Sequence, residues 1–91
     1  MLIRVKNLIG TSDNLPPYGY QSWKDYWIAA KGYWPSTCAI SNCFEKAEVG
    51  AHVKIVGSGN NRWFIVPLCS GHNHFDGEFY VEDYMLVPVR R

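Results

Sequence analysis

Two short stretches decide the fold of this chain: Cys38-Ala-Ile-Ser-Asn-Cys43 and, after an interval rich in β-branched residues, Leu68-Cys69-Ser-Gly-His72-Asn73. They contain all three cysteines of the chain, and the second adds a histidine three residues after its cysteine. Thiolate sulfur and imidazole nitrogen are common ligands of Zn²⁺, and a structural site normally has four protein ligands. The pattern therefore predicts a Cys₃His zinc site formed by Cys38, Cys43, Cys69 and His72.

The alternative to a zinc site is a set of buried free cysteines that pack as small hydrophobic residues, beside an unrelated surface histidine. Free cysteines alone would not account for two ligand pairs, each close enough in sequence to bind one ion from a tight turn or a helix start. A ligand set with His74 in place of His72 also stays open, although its spacing from Cys69 fits less well. Otherwise we expect His74 to be exposed beside the ligand.

Length and charge limit the class of protein. A chain of 91 residues predicts a single domain, of a size that often needs a metal ion or another cross-link. Three cysteines cannot complete a set of disulfides, and Met1-Leu-Ile-Arg-Val-Lys lacks a secretory apolar run, so we expect a cytoplasmic protein. No apolar run is long enough to span a bilayer, which predicts no membrane role. The formal net charge of +1 limits any contact with a polyanion to a local site.

The pattern of apolar residues and turn formers predicts a mixed α and β chain. The expected elements are a strand over residues 2–8, a loop over 10–19, a helix from about 23 to 30 with its N-cap at Ser22, a strand within 47–56, a hairpin loop over 57–61, a return strand over 62–68 that Pro67 ends, a short helix after Cys69 that Gly77 ends, and one or two strands within 78–89. Trp23 and Trp27 share one helix face, where we expect core packing.

The order of these elements is a cysteine pair, a β-hairpin and a second ligand pair at a helix start, which is the order of a treble-clef zinc finger. The fold prediction is α+β: a small zinc-bound treble-clef or ββα domain with an N-terminal strand and helix packed against it. Residues 1–37 would supply that strand, loop and helix, residues 38–77 the zinc core, and residues 78–91 a C-terminal strand region. Because metal binding and folding are coupled in such sites, removing the metal should expose the core.

Within that class, residues 38 to about 77 resemble the HNH endonuclease-like family. The matching residues are Cys38 and Cys43, Gly50-Ala-His-Val53 on the first hairpin strand, Val66-Pro-Leu-Cys69 at the second ligand pair, and His72-Asn73 at the helix start. The resemblance implies a zinc-stapled ββα fold and a protein that acts on or binds DNA or RNA.

The resemblance also implies candidate catalytic residues, because in that family a strand histidine activates water and a later His or Asn helps to hold a second divalent metal. His52 and Asn73 match these positions. Ala51 stands where the family usually has an acidic metal ligand, and Phe64 where it has an orienting asparagine. A strand histidine held by a backbone hydrogen bond is the other interpretation of His52. The residues that could replace the missing ligand are Asn60, Asn61, His74 and Asp76.

Three functions stay open on the sequence alone. The first is a metal-dependent endonuclease, and the second is a nucleic-acid-binding module without catalysis, in either case with Lys54 and Arg62 as possible phosphate contacts. The third is a zinc-stabilised protein-interaction domain, which the aromatic content of 15% favours. In that case Tyr18, Tyr20, Trp34 and the N-terminal helix would present an aromatic surface to a protein partner.

Overall fold

The chain folds into an antiparallel sheet with helices, and the computed structural model describes residues 1–8, 15–59 and 62–89. The α+β class is confirmed. The described elements are β1 (Leu2–Asn7), α1 (Trp23–Lys31), β2 (Val49–Ile55), β3 (Phe64–Leu68), α2 (Ser70–Asn73), β4 (Glu78–Glu82) and β5 (Val87–Pro88), with a 3₁₀ turn at Asp83–Met85 between the last two strands. Much of the predicted 10–19 loop, and Asn60 and Asn61 of the hairpin loop, lie outside the described residues.

The five strands form one sheet in the order β4-β1-β2-β3-β5, and every neighbouring pair is antiparallel. The first strand therefore lies inside the sheet, between the hairpin strand β2 and the later strand β4. Its register pairs Asn7 with Val53 of β2 and Lys6 with Lys54. Because successive side chains of a strand point to opposite faces, Asn7 and Val53 share one face, and Lys6, Lys54 and His52 share the other.

Helix α1 packs against the face of the sheet that carries His52. Ser22 caps the helix, since its side chain accepts a hydrogen bond from the Asp25 amide, and Gly32 ends it in the left-handed conformation with φ 85°. Trp27 is completely buried, as predicted, and its indole N–H donates to the Met85 carbonyl at 2.8 Å. The helix lies very close to β2, because a Cβ added to Gly50 would come within 2.7 Å of the Trp23 carbonyl carbon. Gly50 therefore permits this approach of two backbones.

The opposite face carries the inward side chains of the central strands. Val5, Val53, Val66 and Val81 are completely buried there, and they belong to the same hydrophobic core as the buried cysteines. Two of these four valines come from β1 and β4, which are far apart in sequence. The core thus combines strands from all three segments expected from the sequence.

Two details expected from the sequence are wrong. Pro67 lies within β3, paired with Gly50, and the strand continues to Leu68. The neighbouring strand β5 pairs only with Phe64 and Ile65 of β3. At Pro67, no described strand therefore needs a hydrogen bond from the amide hydrogen that proline lacks. Helix α2 ends at Asn73, well before Gly77. The chain after it forms two strands separated by the 3₁₀ turn. Among the described residues, no helix has the length and apolar character needed to cross a bilayer.

Candidate metal centre

The first two cysteines lie at the ends of a tight loop between α1 and β2. Thr37 and Lys46 form an antiparallel bridge at its base, and the Cys38 amide donates to the Glu45 carbonyl at 2.8 Å. The loop turns back because the Cys43 amide donates to the Ile40 carbonyl at 3.0 Å and Asn42 adopts φ 67°. Asparagine tolerates this left-handed conformation better than most residues. We call residues 36–47 the knuckle.

Backbone hydrogen bonds attach the knuckle to two strands of the sheet. The Ala39 amide donates to the Pro67 carbonyl of β3 at 2.9 Å, and the Ser41 amide donates to the Tyr80 carbonyl of β4 at 2.8 Å. Ile40 also forms an isolated bridge with Val81. The first cysteine pair therefore lies next to β3 and β4, and a shift of the knuckle would disturb both strands.

The second ligand pair lies where β3 leads into α2. Cys69 is the residue before the helix, and the Asn73 amide donates to the Cys69 carbonyl at 3.0 Å. This single turn brings the imidazole of His72 back over Cys69, so that the Cys69 Sγ lies 3.2 Å from the His72 Nδ1. The spacing of three residues predicted such an arrangement.

The four predicted ligands come together in the fold. The ligand atoms of Cys38, Cys43, Cys69 and His72 all lie within 4.8 Å of one another. The Sγ atoms of Cys43 and Cys69 are 3.9 Å apart, and the Cys43 Sγ lies 3.5 Å from the His72 Nδ1. Zinc bond lengths in a tetrahedral site place two sulfurs about 3.8 Å apart and a sulfur and a nitrogen about 3.6 Å apart. These four side chains could therefore hold one metal ion.

Burial changes the protonation of Cys38. Burial raises the pKa of the Cys38 thiol to about 12, while backbone hydrogen bonds with Ile40 and Cys69 act in the opposite direction. A bound cation favours the thiolate, and hydrogen bonds to ligand sulfur are a common feature of metal sites. All three cysteines are free thiols. Without a cation, the buried sulfur of Cys38 stays protonated at neutral pH.

The structure does not bring the two candidate catalytic residues together. His52 is only 7% exposed, and its ring lies on the α1 face of the sheet, 4.6 Å from the ring centroid of Trp23 and 5.4 Å from that of Trp63. Asn73 is half-buried at the end of α2, on the other face. That placement follows from Asn7, whose side chain projects from the face opposite His52 and contacts the His72 carbonyl. The catalytic roles of His52 and Asn73 stay predictions.

The other candidate residues have varied positions. His74 is exposed, as expected, and directly follows α2; Asp76, Lys54 and Arg62 are also exposed. Tyr18 is fully exposed and Tyr20 less so. Trp34 does not join an exposed surface, because it packs edge-on against Trp27 and donates to the Ala47 carbonyl at 3.0 Å.

A groove of about 610 Å³ lies beside the candidate metal centre and was not foreseen from the sequence. Its lining includes Glu45, Glu48 and Phe75 together with the ligands Cys69 and His72. Sequence reasoning also missed Asn7, which is buried and contacts the ligand-bearing helix. The alternation of β1 contained the signal, because a polar Asn7 follows Val5 at an inward position.

Comparisons of the chain with protein-family models, with curated proteins and with solved structures find no match.

Proposed function

We propose that the Cys₃His cluster is a structural zinc site. What supports zinc is the donor set: three sulfurs and one imidazole nitrogen at tetrahedral spacing suit Zn²⁺ better than the oxygen-seeking ions Mg²⁺ and Ca²⁺. What supports a structural role is that four protein ligands fill a tetrahedral shell and leave no position for substrate or water. When bound, the ion joins the knuckle to α2 and so to both strands that the knuckle contacts.

The test of this proposal is metal analysis of purified protein. We expect one zinc per chain, and a Co²⁺-substituted form with the intense charge-transfer absorption of thiolate ligands. His72→Ala should weaken zinc binding, whereas His74→Ala, its matched control, should leave binding unchanged. Equal effects of the two substitutions would contradict the assignment of His72, and protein without any bound transition metal would contradict the site itself.

We further propose that the domain binds nucleic acid without cutting it, as a noncatalytic relative of the HNH endonuclease-like family. The observation that supports binding is a pair of exposed lysines, Lys6 and Lys54, which are direct partners in β1 and β2 on the same face. Like charges directly opposite each other destabilise a sheet, and a phosphate group would neutralise them. Glu78, the partner of Lys6 on the other side, forms an ion pair with Arg4 at 3.4 Å.

The observation that favours binding over hydrolysis is the separation of His52 and Asn73 by the sheet. A general base for water must come within hydrogen-bond reach of the reacting water, beside the metal that stabilises the phosphate. His52 is instead enclosed by two tryptophans on the α1 face. Ala51, beside it, supplies no carboxylate for a divalent cation.

Binding and cleavage can be tested on the same zinc-loaded protein. We expect measurable affinity for DNA or RNA that falls steeply with salt, and a large further loss for the Lys6→Glu, Lys54→Glu double variant. The matched control is Lys31→Glu, a charge reversal at the exposed end of α1. Binding that is undetectable, independent of salt or equally sensitive to Lys31→Glu would contradict the proposal.

We expect no nicking of nucleic acid with Mg²⁺ or Mn²⁺. Cleavage that is lost in His52→Ala would contradict the noncatalytic assignment and support the endonuclease.

A further inference from the structure

Asn7 is a buried polar residue whose side chain contacts the helix that carries a metal ligand. It is 4% exposed, at the end of β1, and it projects from the face of the sheet opposite α1. The neighbouring inward positions hold the apolar residues Val5 and Val53, both completely buried. Burying an amide costs free energy unless its hydrogen bonds are made. The burial of Asn7 therefore has to be explained by the hydrogen bonds that it makes.

The amide nitrogen of Asn7 bridges two backbone carbonyls at the end of α2. Its Nδ2 donates to the His72 carbonyl at 2.8 Å and to the Phe75 carbonyl at 2.9 Å. The Nδ2 group carries two hydrogens, so both of its donors are used. One of the two acceptors belongs to the predicted ligand His72 itself. The backbone of this histidine is thereby tied to a strand in the middle of the sheet.

Helix α2 has little else to hold it. It spans four residues, a length far below that at which a helix is stable alone. Cys69, at its N-cap, makes no side-chain capping hydrogen bond to a backbone amide of the helix, and none of the helix residues is fully buried. The helix is held by its covalent link to β3, by the amide of Asn7 and, under the proposed function, by the metal ion.

We propose that Asn7 is a positioning residue for the metal centre: it holds the α2 turn so that the Nδ1 of His72 faces the three sulfurs before the ion arrives. This inference rests on the proposed zinc site. Preorganised ligands bind a metal more tightly because less ordering occurs on binding. Loss of the Asn7 amide should therefore free His72 more than it disturbs the three cysteines.

The experiment compares Asn7→Leu with Val5→Ala in the full chain. Leucine keeps the branched shape of asparagine and lacks both donors. Val5→Ala removes buried volume two residues away, on the same strand and face, and keeps the Asn7 amide. Zinc affinity is measured by competition with a chelator, and the ligand set is observed in the visible spectrum of the Co²⁺ form. His72→Ala supplies the reference spectrum of a site without its imidazole. Asn7→Ala is a second variant, in which water can replace the amide.

We expect Asn7→Leu to weaken zinc binding by about 10-fold to 100-fold. Its Co²⁺ spectrum should move toward that of His72→Ala, whereas Val5→Ala should keep the wild-type spectrum even where the fold is less stable. Wild-type spectra in both Asn7 variants, with affinity losses no larger than that of Val5→Ala, would overturn the role of Asn7. A wild-type protein that binds no zinc would instead overturn the proposed function on which this inference depends.

Discussion

The two faces of the sheet differ in what packs on them. On one face, α1 packs through Trp27, a large aromatic side chain that is completely buried and hydrogen-bonded to the Met85 carbonyl. On the other, Val5, Val53 and Val66 are completely buried, and the knuckle and α2 bring four candidate ligand atoms within 4.8 Å of one another. Burial of a tryptophan needs no ion, whereas a four-residue helix is too short to be stable alone. Under the proposed zinc site, the first face is held by packing alone, and the second by packing together with a metal ion.

The largest expected effect comes from losing the metal. Removal of zinc with a chelator, or Cys69→Ser, should lower the free energy of unfolding by several kcal/mol, because ligand binding at 1,000 times Kd stabilises a fold by about 4 kcal/mol. In hydrogen exchange, the amides of Ala39 and Ser41 should lose protection before those of α1 do. Thermal unfolding and exchange measure these effects, and Ser70→Ala is the control for the cysteine substitution. Equal loss of protection on both faces would show that the sheet opens as one unit.

The next effect is expected on the face of the sheet that packs against α1. Trp27→Ala should cost about 3–5 kcal/mol of stability, because it removes a fully buried side chain and leaves a cavity. Folded protein should still bind one metal ion per chain, since the hydrogen bond and ring contacts described for Trp27 join it to Met85, Tyr33 and Trp34. Denaturant unfolding and metal analysis measure the two outcomes, and Trp27→Phe should cost less. Loss of the metal from folded Trp27→Ala protein would contradict the view that the two faces are stabilised independently.

An intermediate effect is expected on the pH dependence of zinc affinity. The pKa of Cys38 rises from 9.0 to about 12 in the metal-free fold, so this thiol must release a proton to bind an ion at neutral pH. Zinc affinity should therefore rise by about tenfold or more for each pH unit between pH 6 and 8. Chelator competition at several pH values measures this slope. An affinity that does not change with pH would mean that the thiols already carry charge without metal.

The same shift has a stability consequence for the metal-free protein. Above pH 9, the unfolded chain loses the Cys38 proton that the folded chain keeps until about pH 12. The unfolded state then binds fewer protons, so the stability of metal-free protein should fall as pH rises through this window. Urea unfolding of chelated protein at pH 8 and pH 10 tests the sign.

The smallest effect is expected at the start of α1. Ser22→Ala removes the side-chain acceptor of the Asp25 amide, which is 3.1 Å away, and should cost about 1 kcal/mol. Ser36→Ala, at an exposed position outside the helix, is the control. Thermal unfolding measures both. Zinc affinity should not change in either variant, and a change in Ser22→Ala would indicate that the two faces are coupled through the sheet.

Local pattern predicted much of the fold and of the site. The ligand pairs were identifiable because each lies within a few residues, so one turn brings its members together. The capped helix and the hairpin strands follow from equally local signals such as Ser22 and Gly32. The insertion of β1 between β2 and β4 was not predicted, because the register of distant strands depends on packing across the whole sheet. The placement of His52 and Asn73 on opposite faces depends on that register, so it could not be predicted from the sequence either.

Asn7 shows why part of the site was missed. A polar residue at the end of a strand is usually exposed to solvent, so Asn7 did not stand out. Its partners are the backbone carbonyls of residues 72 and 75, and the sequence does not show which backbone carbonyls a side chain contacts. Pro67 was misjudged for a related reason. A proline is tolerated where no neighbouring strand requires its amide, and the length of β5 decides this.

The central position of β1 has a consequence for folding kinetics. Leu2 pairs with Glu82, so the sheet cannot close until nearly the whole chain has come together. Contacts so distant in sequence slow folding, because loop-closure entropy is lost before they form. Under the proposed zinc site, the ion would bring residues 38–72 into a partial structure early, but the final rate should depend on the docking of the first strand. Refolding in stopped flow should therefore keep a slow phase that added zinc does not remove.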